Sequence, residues 1–202
     1  MTNNTALIVL DVQNDTVSAG GAFESNAVHA VQQKLLLNIA RLLEAARTAS
    51  IPVIHIHFLA NPDADPTTLN TPLLEAVAAS GGYIAGTWGA APAYGAEPLE
   101  DELVLTKTTM SGFAGTGLQA HLDALGVERL VLTGALTNMS VEHTARHAAD
   151  EGFRVVVVSD ATSSMDAQWH SAALDHAISM VAQILDTEQA VKLLHQVTVD
   201  AA

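Results

Sequence analysis

Three side chains able to take part in acyl or proton transfer occupy comparable places in this chain. Asp11 closes the apolar run of ALIVLDVQND, Lys107 closes LVLTK, and Ser140 lies in GALTNMSVE, just past the apolar run 130–133. A strand that breaks at Gly134 and hands a side chain to a helix start gathers backbone N–H groups at one point. The helix dipole there favours developing negative charge. An acid, an amine and a nucleophile position on three such ends make a candidate catalytic triad.

The elements that must position these groups follow from hydrophobic periodicity. Short runs rich in Val, Ile and Leu predict strands at about 5–11, 52–58, 102–106, 129–134, 154–158 and 180–185. Segments at about 26–49, 115–125, 138–151, 167–177 and 187–196 have helical period, with a short helix near 73–79. Leu35, Ile39, Leu42, Leu43 and Ala46 give the first helix an apolar stripe. Continuously apolar strands alternating with helices imply an α/β fold, a three-layer α/β/α arrangement with a six-stranded, mostly parallel sheet. Ligands in such sheets bind beyond the carboxyl ends of the strands, where Asp11, Lys107 and the 134–140 turn fall. Residues 59–101, rich in Pro, Gly, Ala and Thr, read as a long functional loop.

Composition narrows the function. The chain has 202 residues, and no internal boundary divides it, so residues 1–202 read as a single domain. Its 22 acidic against 8 basic residues give a formal net charge of -14, which disfavours nucleic acid and anionic membranes as partners. No cysteine is present, so thiolate chemistry and disulfides are excluded for the chain as it stands. No apolar run approaches membrane-spanning length and the N-terminus has no basic leader, so a cytoplasmic location is expected.

The pieces ALIVLDVQND, LVLTKTTMSGFAGTGL, LVLTGALTNMSVEHTARHAADEGFRVVVVSDA and HSAALDHA together resemble the isochorismatase-like family of cysteine hydrolases, from about residue 5 to residue 192. The third is the most specific. The family's usual form is Gly-x-x-Thr-x-x-Cys-Val-x-x-Thr-Ala-Arg, and every fixed position matches except that Ser140 stands in place of cysteine. The resemblance implies the isochorismatase-like hydrolase fold and hydrolysis of a C–N bond in a small carboxamide, carbamoyl or ureido compound. It further implies Asp11 as proton acceptor, Lys107 as charge partner, and the N–H groups of Leu136 and Ser140 as an oxyanion hole. It also implies a cis peptide at Ala135–Leu136 and a homo-oligomer; no cofactor is assigned.

A thiol gives its proton to a carboxylate readily, whereas a serine hydroxyl normally needs a histidine base. Little or no amide turnover is therefore expected with Ser140 in place. Two explanations stay open: a Cys→Ser replacement that holds substrate without consuming it, or a native serine whose chemistry needs no thiolate. Family members that cleave a vinyl ether lack the cysteine and use the aspartate as an acid, which makes Asp11 acid catalysis the alternative. A catalytically silent binding or scaffold protein is the third reading.

Aromatic residues are 4% of the chain, so Phe23, Trp88, Tyr94 and Phe113, near the motifs or in the long loop, are expected to wall the substrate pocket. His55 and His57 alternate along one strand and share a sheet face, half of what a metal site would need. No third ligand with suitable spacing is evident, and no metal is assigned. His143, His147, His170 and His176 read as surface or interface residues, and Arg146 as a helix-surface ion-pair former.

Overall fold

The computed structural model describes residues 4–60 and 69–199. Six strands form one sheet: β1 (Thr5–Leu10), β2 (Val53–Phe58), β3 (Leu103–Lys107), β4 (Arg129–Ala135), β5 (Arg154–Ser163) and β6 (Gln183–Leu185). Their order is β3-β2-β1-β4-β5-β6, and every neighbouring pair is parallel, so the sheet is fully rather than mostly parallel. The chain winds outward from β1 through β2 to β3, then returns to place β4 on the other side of β1. The topological switch point therefore lies between β1 and β4. The two strand ends flanking it carry Asp11 and the 134–140 turn, which is where such sheets open a crevice for ligands.

Helices cover both faces. Among the described residues they are α1 (Asn14–Val17), α2 (Glu24–Gln32), α3 (Leu35–Thr48), α4 (Pro72–Ser80), α5 (Leu118–Ala124), α6 (Glu142–Asp150), α7 (Ala167–His176) and α8 (Thr187–Val199). Side chains alternate along β1, so Leu7 and Val9 pack with Ile39, Leu42 and Leu43 of α3, and with Leu194 of α8. Ala6, Ile8 and Leu10 face the other way, onto Leu118 and Leu122 of α5 and Ala145 of α6. With both faces covered, all six residues of β1 are buried.

The helical segment expected over 26–49 is two helices. Lys34 adopts left-handed backbone at φ 56 and separates α2 from α3. Its neighbours hold the break: Asn38 Nδ2 donates to the Gln33 carbonyl at 3.1 Å and to the Asp160 carbonyl at 2.7 Å. The last expected strand, 180–185, shortens to β6, because Ile178–Met180 is a 3-10 turn. The fifth runs on to Ser163, past a register shift against β4 between Leu132 and Gly134.

Gly134 lets the switch point close. A Cβ there would lie 2.0 Å from the Leu10 carbonyl oxygen, and φ is +121. Only a residue without a side chain allows the end of β4 to lie against the end of β1 in this conformation.

Candidate active site

Asp11, the residue after β1, takes left-handed backbone at φ 53. Its Oδ2 meets Lys107 Nζ at 2.8 Å, and both side chains are almost wholly buried. The ammonium also donates to the Thr109 and Met110 carbonyls at 3.0 and 3.2 Å and lies 5.4 Å from the Phe58 ring centroid. A buried cation held this way is fully hydrogen-bonded. Asp11 Oδ1 has no hydrogen-bond partner among the described residues, and neither does the buried Oγ of Ser140. Asp11, Lys107 and Ser140 wall one cavity of about 460 Å3 of empty space, mouth included.

Ser140 is delivered by a π-helical turn, Thr137–Val141, leading into α6. The Ala135–Leu136 peptide before it is cis. The Leu136 carbonyl accepts the N–H groups of Met139 and Val141, each at 3.1 Å, which winds the turn tightly. No side chain caps it. Thr137 instead shares a hydrogen bond with His170 Nδ1 at 2.8 Å, while His170 Nε2 meets Gln33 at 2.8 Å. Ser164 Oγ donates to Asn138 Oδ1 at 2.6 Å, and Ser164 N–H donates to His29 Nδ1 at 3.1 Å. A buried polar network thus underlies the turn.

His170, expected at the surface or an interface, is buried within the chain, because α7 turns it inward with Ala173 and Leu174. The spacing of 170, 173 and 174 is that of one helix face, which was the available sequence signal. Burial, and secondarily the neighbouring His29, pushes the His170 imidazole down to about 4. Burial likewise lowers His29.

The opening is walled largely by apolar groups: Leu73, Leu74 and Val77 of α4, with the rings of Phe23 and Phe58. Thr16 and Tyr83 add hydroxyls, which share a 3.0 Å hydrogen bond. Of the four aromatics expected as walls, Phe23 lines the cavity; Trp88, Tyr94 and Phe113 do not. Trp88 and Tyr94 are exposed because the loop around them is stapled by its backbone. Gln13 Nε2 donates to the Phe58 and Ala90 carbonyls, Asn14 Nδ2 to the Trp88 carbonyl, and Asp15 accepts the Tyr83 and Ala22 N–H groups. At Gly89 a Cβ would sit 2.2 Å from Asp15 Oδ2, so the loop comes in as bare backbone. Phe113 packs instead beneath α6, stacked on His147 at 4.8 Å and beside Phe153. Tyr83, Phe58 and the α4 leucines were missed: nothing in their local pattern separates a cavity wall from ordinary packing.

His55 and His57 are both buried on β2. His55 Nε2 lies 3.1 Å from Glu102 Oε2, and Glu102 is also gripped by Arg47 at 2.8 Å. Burial outweighs the Glu102 charge and brings His55 down to about 4. His57 is lowered by burial against the opposing pull of Asp11. Among the described residues no group of three or more His, Cys, Asp or Glu side chains is placed to hold a metal ion.

Residues 5–189 match the isochorismatase domain family. The chain belongs to that family. It is 32% identical over 176 residues to the ureidoacrylate amidohydrolase RutB of Variovorax paradoxus, an alignment covering 81% of this chain and 70% of that protein. Against nicotinamidase 3 of Arabidopsis thaliana it is 30% identical over 195 residues, covering 91% and 85%. The solved cysteine hydrolase of Pseudomonas syringae pv. phaseolicola 1448A shares the fold with a TM-score of 0.84, at 22% identity, over 98% of this chain and 95% of that one. Family membership and the sheet order agree with the α/β/α architecture expected from the sequence. Among the described residues no helix is long and apolar enough to cross a membrane.

Proposed function

We propose that this scaffold hydrolyses the C–N bond of a small carboxamide, carbamoyl or ureido compound, with residue 140 as the nucleophile position. The observation that carries this reading is the pairing of two buried, unpartnered atoms, Asp11 Oδ1 and Ser140 Oγ, in one cavity whose other charge, Lys107, is locked on Asp11 Oδ2. The ammonium leaves one carboxylate oxygen available, and that oxygen receives the nucleophile's proton. The nucleophile adds to the substrate carbonyl, and the N–H groups of Leu136 and Ser140 stabilise the oxyanion. Asp11 then returns the proton to the leaving nitrogen, the C–N bond breaks, and ammonia or an amine departs. Water attacks the acyl intermediate, giving a proton to Asp11; the bond to residue 140 then breaks, the acid departs, and Asp11 returns that proton to the side chain at 140.

A hydroxyl at 140 is poorly matched to a carboxylate base, so turnover by the chain as it stands is slow or absent. Names of relatives support the reaction class: one is an amidohydrolase of a ureido acid, another a nicotinamidase. The homo-oligomer is part of the same reading, supported by the apolar side chains of Val31 and Trp169 left exposed on α2 and α7. The experiment is Ser140→Cys with ammonia release measured over a panel of small amides and ureas. Release by the cysteine variant that disappears in Asp11→Asn/Ser140→Cys is expected. A folded Ser140→Cys protein that releases none overturns the proposal and favours a silent binding protein.

One observation favours a second reading. Because Ser140 Oγ makes no hydrogen bond to Asp11, the carboxyl could act on a substrate directly, as an acid toward a vinyl ether. Consumption of isochorismate by the chain as it stands, abolished in Asp11→Asn, would establish it.

A further inference from the structure

Among the described residues the cavity is polar at one end only. Asp11, Lys107 and Ser140 hold that end, and the rest is apolar apart from a few hydroxyls. The chain has 8 Lys and Arg residues in all, so every permanently charged counter-ion for an acidic substrate can be traced, and no histidine lines the cavity among the described residues. Lys34 and Arg41 are exposed on the surface. Arg47 is bound to Glu102, Arg146 to Glu142, and Lys192 to Glu188. Arg129 and Arg154 open β4 and β5, at the opposite end of the sheet from the site. Lys107 alone lines the cavity, and its ammonium is engaged by Asp11 and two carbonyls.

Accepting the amide reading above, on which this rests, we infer that the site selects uncharged small carboxamides and rejects ureido or carboxamide compounds bearing a free carboxylate. A carboxylate entering this wall would lose its hydration and meet no cation in return. At the polar end it would face Asp11 Oδ1, an acceptor that needs a donor; a carboxamide N–H supplies one and a carboxylate cannot. The net charge of -14 opposes anions at long range as well. The Thr16–Tyr83 pair adds specificity for a neutral group. Two hydroxyls sharing one hydrogen bond leave one O–H proton, which can go to an uncharged acceptor on the substrate body.

The test uses matched pairs: benzamide with 4-carbamoylbenzoate, and the methyl ester of 3-ureidoacrylate with 3-ureidoacrylate itself. Calorimetric titration of the chain with Ser140 in place measures binding without turnover, and ammonia release by Ser140→Cys measures kcat/KM. The neutral member of each pair is expected to bind about a hundredfold more tightly or better, and kcat/KM to follow the same order. Equal or tighter binding of the carboxylates, or no binding of either neutral member, overturns the inference. If neutral members bind selectively but the cysteine variant releases no ammonia, the hydrolytic reading falls and the selectivity stands. If that variant releases ammonia chiefly from the carboxylates, the hydrolytic reading stands and this inference falls.

Discussion

Replacing Lys107 by Met tests whether the ammonium is a structural lock on Asp11 as well as a charge in the site. Lys107 Nζ makes three polar contacts, at 2.8 Å to Asp11 Oδ2, 3.0 Å to the Thr109 carbonyl and 3.2 Å to the Met110 carbonyl. Methionine keeps the unbranched side chain out to Cε and removes all three. It strands a carboxylate whose other oxygen already lacks a partner. Removing one member of a buried pair costs about 3–5 kcal/mol, a large part of the roughly 5–15 kcal/mol that holds a domain folded. Asp11→Asn relieves the stranded charge, so the double variant Asp11→Asn/Lys107→Met should lose less than the sum of the single losses, by about 2 kcal/mol. Urea unfolding followed by far-UV circular dichroism is the assay, since both tryptophans are exposed and report poorly on the core. Because the pair is buried, raising the salt should barely change the loss. A Lys107→Met loss below about 1 kcal/mol, or strict additivity in the double variant, would refute a pair locked out of water.

Gly134→Ala should destabilise the chain far more than Gly20→Ala. The first Cβ would meet the Leu10 carbonyl at 2.0 Å, whereas the second has nothing within 4 Å and carries only the cost of positive φ, about 1–2 kcal/mol; urea midpoints of the two compare them, and equal losses would mean that β1 and β4 can part. Stability should also fall as pH drops from about 6.5 towards 4. His55 and His170 are held near 4 by burial, so the unfolded chain takes up protons there that the native state refuses. The stabilisation is complete above the unfolded value and is lost on acidification, by up to about 3 kcal/mol for each histidine. Urea midpoints from pH 7 to pH 4 should slope accordingly, and less steeply in His170→Gln; a flat profile would refute the burial argument.

What was legible in the sequence was what depends on local pattern. The apolar runs gave all six strands within a few residues, except where polarity hid the continuation: the strand expected at 154–158 runs on through 159–163 as the end of β5. Asp11, Lys107 and Ser140 could be picked out because the first two sit where apolar runs stop and the third lies in the turn that follows one, and strand ends in parallel sheets converge. The break at Lys34 was hidden for the opposite reason. Its surroundings favour helix, and the interruption is held by Asn38 reaching Asp160, 122 positions away. Three of the four expected aromatic walls, Trp88, Tyr94 and Phe113, failed because scarcity of a residue type carries no direction. Trp88 and Tyr94 face outward since their loop is held through main-chain groups by residues 13–15.

That stapling connects reactivity to substrate choice. The run DVQND looks like a single catalytic signature, yet only its first residue lines the cavity. Gln13, Asn14 and Asp15 turn away and fix the loop whose Tyr83 forms part of the wall. Asp15 is the hinge of this arrangement: it takes the Tyr83 N–H at 2.6 Å, four residues along the chain from the carboxylate of Asp11. A substitution at 15 should therefore move Tyr83 and its hydrogen bond to Thr16 while the Asp11–Lys107 pair stays intact. The position of the Asp11 carboxylate and the shape of the pocket are set by adjacent residues of one motif, so the motif extends past the residue that lines the cavity.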